Sequence, residues 1–138
     1  WLLPAARMKL RRPHKVPLTD TTIAYLNSVK EIYPGSGFVF PSPAKKVPHI
    51  SENAMTSALN RMGYKGVHTP HGFRTTGSTI LHSTGQFDSL WIETQLAHAD
   101  KNTIRDAYNR ADFFDQRRKM MEWWSTQLNN TTVKQPLS

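Results

Sequence analysis

Four side chains in the middle of the chain have the chemistry to act on a phosphate ester. They are His71 and Arg74 in Thr69-Pro70-His71-Gly72-Phe73-Arg74, His98 in Leu96-Ala97-His98-Ala99-Asp100, and Tyr108 in Asp106-Ala107-Tyr108-Asn109-Arg110. A guanidinium offers a planar fork of donors that fits two phosphate oxygens at once. An imidazole can contact a further oxygen or pass a proton. A phenol can attack phosphorus when a cationic surround or a base helps it lose a proton held with an ordinary pKa near ~10. Taken singly, each residue has a plainer reading: His71 and Arg74 as a solvated helix start, His98 as a helix-end cap, Tyr108 as half-buried packing.

The elements that must position these groups follow from caps, breakers and periodicity. Thr69 is an N-cap with Pro70 at the first helical position, where its missing amide hydrogen costs nothing, and the helix is expected to run to about Thr84 and close at Gly85. His71 and Arg74, three residues apart, then share one face of its first turn. That turn carries unsatisfied amides and the positive end of the helix dipole, a natural seat for phosphate. Asp88 or Ser89 opens a helix through Leu90, Ile92, Glu93 and Leu96 that breaks near His98, and Asn102 or Thr103 starts a short one carrying Tyr108.

Further helices are expected from Thr19 or Asp20 to about Ile32, from Ser51 to about Met62, and from Asp112 to Leu128. Trp1 to Leu18, basic and interrupted by Pro4, Pro13 and Pro17, reads as small edge strands joined by a turn, with Met8 to Val16 as a hairpin with a positive tip. Phe38-Val39-Phe40 is a short apolar run, and the proline-rich stretch Pro41 to Pro48 is a loop. The expected fold is mainly α with a small N-terminal antiparallel β-hairpin (α+β). One domain covers residues 1–128, with the hairpin at about 1–18, the helical part at about 19–128 and a flexible tail at 129–138.

Composition limits the partners. The 138 residues include 18 Lys and Arg against 10 Asp and Glu, a formal charge of +8 that favours polyanions, nucleic acid above all. Absence of cysteine excludes disulfides, thiolate metal sites and a thiol nucleophile, and fits a reducing, cytoplasmic setting. His68 and His71 lack a carboxylate or thiolate at ligand spacing, so a metal pair is a poor reading. No apolar run approaches the roughly 20 residues that a membrane span needs, and no signal peptide is visible. The chain opens on Trp1-Leu2-Leu3-Pro4 without a methionine and reads as a piece of a longer protein.

The succession HGFR, then LAHA, then a tyrosine ten residues past the second histidine resembles the catalytic domain of the tyrosine recombinases, in particular phage and genomic-island integrases. The segments RMKLRRPHKVPL, FVFPS, RMGYKGVHTPHGFR, QLAHADKNTIRDAYNRADF and RRKMMEWW look like that branch as well, so the resemblance covers nearly the whole chain. It implies a DNA transesterase with no cofactor and no metal, here as a truncated catalytic domain. Tyr108 matches the nucleophile that forms a 3′-phosphotyrosyl link and frees a 5′-hydroxyl. Arg74 matches the second arginine of the phosphate clamp. His71 would bond a phosphate oxygen or assist proton transfer from the phenol, and His98 matches a second phosphate contact. Lys9 matches the hairpin lysine that protonates the departing oxygen, with Arg11, Arg12 and Lys15 near enough to compete.

The first clamp arginine would precede Trp1, so the 138 residues alone are expected to bind DNA weakly and cleave poorly or not at all. The implied partners are double-stranded DNA, three further copies in a homo-tetramer on DNA, and accessory DNA-bending proteins. The implied location is the bacterial cytoplasm, with no membrane. Arg11, Arg12, Lys15, Lys45 and Lys46 are candidate DNA contacts, and Arg117-Arg118-Lys119 is either another or an ordinary solvated run. Trp123 and Trp124 could pack within the chain or against a neighbouring copy. Two rivals stand beside this reading: a basic helical DNA-binding module without chemistry, which the charge serves equally well, and a metal-dependent nuclease.

Overall fold

The computed structural model describes residues 1–9, 11–44, 46–98 and 112–132. Its elements in order are strands β1 (Leu2–Leu3) and β2 (His14–Lys15), then helices α1 (Asp20–Ile32), α2 (Ala54–Leu59), α3 (Pro70–Ser83), α4 (Ser89–Gln95) and α5 (Phe114–Thr132). The fold is mainly helical with one small antiparallel sheet, as the pattern of caps and breakers predicts. The short helix expected around Tyr108 lies outside the described residues. The chain divides into two compact units, Trp1–Thr19 with Gly77–Ser138, and Asp20–Thr76.

In the first unit β1 pairs with β2 in the register Leu2 to Lys15 and Leu3 to His14. Mutual bonds between the Trp1 and Val16 backbones at 2.8 and 2.9 Å extend the ladder by one step. The pairing is wider than the expected Met8 to Val16 hairpin. A 3₁₀ turn at Ala5–Arg7 and a left-handed Arg11 (φ +53°) occupy the excursion between the strands. The core forms where Leu81 of α3, Ile92 of α4 and Met120 of α5 meet, flanked by Phe87, Trp91, Leu96, Met121, Trp123 and Trp124. Each of those three buried side chains contributes about 1.5–3 kcal/mol by leaving water. Phe87 and Trp123 meet edge to face at 5.4 Å, and Trp123 and Trp124 pack within the chain.

The ends of these helices are set by short polar side chains. The Asp88 carboxylate accepts the Leu90 amide at 2.8 Å and starts α4, and the Asp112 carboxylate accepts the Phe114 amide at 3.2 Å at the start of α5. The last helix therefore begins two residues after the expected Asp112, and it continues to Thr132 rather than Leu128 because its final turns lack a glycine or proline to stop them.

In the second unit α1 matches its expected span and is followed by Gly35 at φ +79°. The Pro41 to Pro48 loop closes on itself through a single bridge between Pro41 and His49. The second helix begins at Ala54, three residues after the expected cap Ser51, whose carbonyl accepts the Ala54 amide at 3.0 Å in a turn that precedes it. A wide π-type turn at Asn60–Tyr64 ends it, with Gly63 at φ +91°. Leu59 is the one buried residue among the described residues of this unit.

Candidate functional site

The first turn of α3 is built as its sequence directs. Thr69 accepts the Gly72 amide at its hydroxyl (3.1 Å) and at its carbonyl (2.9 Å), which satisfies one of the donors a helix start leaves open. The His68 ring lies over this turn, so close that a Cβ added at Gly72 would stand 2.8 Å from its Cε1. The same ring meets Phe73 edge-on at 4.3 Å, and its Nε2 is buried without a hydrogen-bond partner. Gly72 is thus the residue that lets His68 close on the helix. His71 and Arg74, one on either side of Phe73, are exposed.

His98 is positioned by the end of α4. The His98 amide donates to the Glu93 carbonyl at 3.1 Å and the Ala97 amide to the Thr94 carbonyl at 3.0 Å, with Ala97 left-handed at φ +49°. This pair of bonds is a Schellman turn, which ordinarily uses glycine where Ala97 stands. The turn folds the chain back on α4 and brings His98 Nδ1 within 2.5 Å of Glu93 Oε2. His82 of α3 approaches the other oxygen of the same carboxylate, with Nε2 3.7 Å from Oε1.

Lys9 is exposed in a turn closed by the Arg11 amide on the Met8 carbonyl at 3.0 Å. Arg11, Arg12 and Lys46 are exposed; Lys45 and Tyr108 lie outside the described residues. Lys15 is exposed as well, but its ammonium faces Asp112 Oδ2 at 3.6 Å. His71 and Arg74 belong to the second unit, and Lys9 and His98 to the first.

Arg117 departs furthest from a solvated charge run. It is fully buried, and its fork donates to the Gln95 side chain (2.9 Å), the Asp112 carbonyl (2.9 Å) and the Lys15 carbonyl (2.5 Å). Burial pulls its pKa below the ordinary value, and the Asp112 carboxylate opposes that pull. The guanidinium fastens β2, α4 and the residue that caps α5, and the last two of these flank the Tyr108 segment in sequence. Its neighbour Arg118 behaves as expected of an exposed helix residue and pairs with Glu122 at 3.0 Å. Nothing in a run of three basic residues marks the first as buried. The 3.6-residue period of α5 does, because it places Arg117 one turn before Met121 and beside Met120 and Trp124 on the apolar side.

No cluster of residues able to hold a metal occurs among the described residues, and no helix there is long and apolar enough to cross a membrane. The first turn of α3 exposes an imidazole and a guanidinium, and an imidazole lies just past the end of α4, side chains whose chemistry suits an anion.

Comparison with known proteins shows the family of the chain. The model of the phage integrase family matches residues 1–114. The chain is 46% identical over 125 residues to the prophage integrase IntA of Escherichia coli K12, covering 91% of this chain and 30% of that protein. It is 46% identical over 120 residues to the prophage integrase IntZ of the same organism, covering 87% and 29%. To the integrase of Shigella phage Sf6 it is 39% identical over 128 residues, covering 92% and 33%. The chain belongs to the phage integrase family, and it spans about a third of the length of these curated relatives. No solved structure gives a significant match.

Proposed function

We propose that the chain carries most of the catalytic machinery of a site-specific DNA recombinase that integrates and excises phage-type elements through a 3′-phosphotyrosyl intermediate. The Tyr108 phenol oxygen attacks the scissile phosphorus as the bond to the 5′-oxygen breaks. The phenolic proton leaves with the help of His71, and the departing oxygen takes a proton from Lys9. Attack by a 5′-hydroxyl on the phosphotyrosine reverses the step and rejoins the strands. One phosphate ester replaces another, so neither ATP nor a metal is needed. The demand on the protein is to hold the charge that builds on the non-bridging oxygens, the task of Arg74, His71 and His98; loss of one such donor typically slows a reaction by ~10²–10³.

The observation that carries this reading is the exposure of His71 and Arg74 on the first turn of α3 and of His98 just past α4, in a chain of the phage integrase family. Among the basic residues near the hairpin, Lys15 already faces Asp112, which favours Lys9 as the acid and leaves Arg11 and Arg12, with Lys45 and Lys46, as backbone contacts. Duplex DNA is the partner, bound as a homo-tetramer with DNA-bending accessory proteins. We expect the 138 residues alone to bind DNA weakly and cleave poorly.

A nicked suicide substrate tests the reading in the full-length protein. Tyr108→Phe abolishes the covalent protein–DNA adduct and leaves DNA affinity within about twofold, as expected when one donor is removed from many phosphate contacts. An adduct that survives the substitution, or an affinity that collapses with it, sinks the assignment. A wild-type protein that binds DNA and never forms the adduct supports the non-catalytic module instead. For the 138 residues, adduct formation at a rate near that of the full-length protein overturns the expectation of impairment.

A further inference from the structure

We infer that Glu93 is a positioning residue for His98: it holds the proton on Nδ1 of that ring and so presents Nε2 to the DNA phosphate. The inference rests on the reading of His98 as a phosphate contact. Its geometric basis lies wholly within the first unit.

A carboxylate can only accept hydrogen bonds, so the 2.5 Å approach of His98 Nδ1 to Glu93 Oε2 requires the proton on Nδ1. Nε2, on the far side of the ring, is then the nitrogen left for a ligand. Glu93 is itself well held. Its neighbour Ile92 is fully buried, and Gln95, two residues on, receives the buried Arg117. The carboxylate's other oxygen faces His82 Nε2 at 3.7 Å, and the direction of that ring is also determined. His82 Nδ1 lies 2.8 Å from the Ser78 carbonyl, another pure acceptor, so its Nδ1 carries a proton and its Nε2 turns to Glu93. The Schellman turn at Ala97 supplies the remaining constraint by fixing the His98 backbone.

Glu93 thus stands between two imidazoles that each present a defined nitrogen. With Nδ1–H engaged by Glu93, Nε2 donates to a phosphate oxygen only when it too carries a proton, and the carboxylate then stands beside the ring as its counter-charge. The side chains are between 39% and 46% exposed, so the ion pairs themselves add little stability. Their value is orientation.

Long-range proton–nitrogen NMR correlation on the 138-residue chain reads the tautomer directly. Wild-type His98 shows its proton on Nδ1. Glu93→Gln, which keeps an acceptor oxygen, retains it, and Glu93→Ala moves it to Nε2, with helix content unchanged by circular dichroism. In the full-length protein, adduct formation slows about 10–100-fold in Glu93→Ala, as for other residues that orient a histidine, and Glu93→Gln restores most of the rate. The Glu93→Ala, His98→Ala double variant is no slower than His98→Ala alone, because both changes act through one ring. A proton that stays on Nδ1 in Glu93→Ala overturns the inference, and so does a double variant whose loss is the product of the single losses. If His98→Ala itself cleaves at the wild-type rate, the phosphate role of His98 fails, whereas the NMR comparison still decides what Glu93 does to the ring.

Discussion

The two compact units of this chain are stabilised in different ways. In Trp1–Thr19 with Gly77–Ser138, three helices bury Leu81, Ile92 and Met120, and a buried arginine bonds three separate pieces of backbone and side chain. In Asp20–Thr76, Leu59 is the one buried residue among those described, and Tyr25, Ile32, Phe38, Phe40, Met55, Met62 and Phe73 are exposed. The second unit relies on local devices: the Thr69 cap, the His68 ring on Gly72, the Gly63 turn and the Pro41 to His49 bridge. The chain places one proposed phosphate contact, His98, on the well-packed unit and two, His71 and Arg74, on the thinly packed one. Local opening free energies follow burial, so the second unit is the one expected to open first.

Substitutions can break or sharpen that contrast. The largest effect is expected for Arg117→Ala, which takes the donor away from the Lys15 and Asp112 carbonyls and the Gln95 side chain and opens a cavity where the buried side chain lay. It should cost about 3–5 kcal/mol by denaturant unfolding, and Arg117→Lys should recover little because an ammonium lacks the three-way fork. A loss under ~1 kcal/mol would mean that the charge is solvated after all and that the two units are alike. Next come Ile92→Ala and Leu59→Ala as a matched pair. The fully buried Ile92 should lose roughly 2–5 kcal/mol, and Leu59, in surroundings free to collapse, about 1–2 kcal/mol. Equal losses would erase the distinction. The smallest is Thr69→Ala, at ~1 kcal/mol for a lost cap, seen as faster amide hydrogen exchange confined to the first turn of α3. Faster exchange reaching α5 would show that the units open together.

Much of this was legible in the chain because it is local. Thr69, Asp88 and Asp112 announce helix starts by chemistry that operates within two or three residues, and the order of HGFR, LAHA and AYNR names the family without any structure. The parts that could not be read depend on partners far along the chain or on an unusual dihedral. Arg117 looked like one of three solvated cations because its acceptors lie 5, 22 and 102 residues away. The strands sit at Leu2–Leu3 and His14–Lys15 rather than around Met8 because a two-residue ladder leaves almost no period to detect. Glu93 escaped notice for a geometric reason. Residues five apart on an intact helix point roughly 140° away from each other, and only the left-handed Ala97 brings His98 back onto Glu93. Tyr108, the proposed nucleophile, lies outside the described residues, and the proposal for it rests on the sequence match.

The reach of Arg117 also sets an order of events during synthesis. Lys15 leaves the ribosome 102 residues ahead of the side chain that will fasten it. At translation rates of about 5–20 residues per second, the first strand pair waits roughly 5–20 s for its clasp. Over that interval the basic hairpin exists without the contact that ties it to the C-terminal helix. Closing so long a loop carries an entropic cost, so the contact between Arg117 and Lys15 is expected to form late, after α5 has been made.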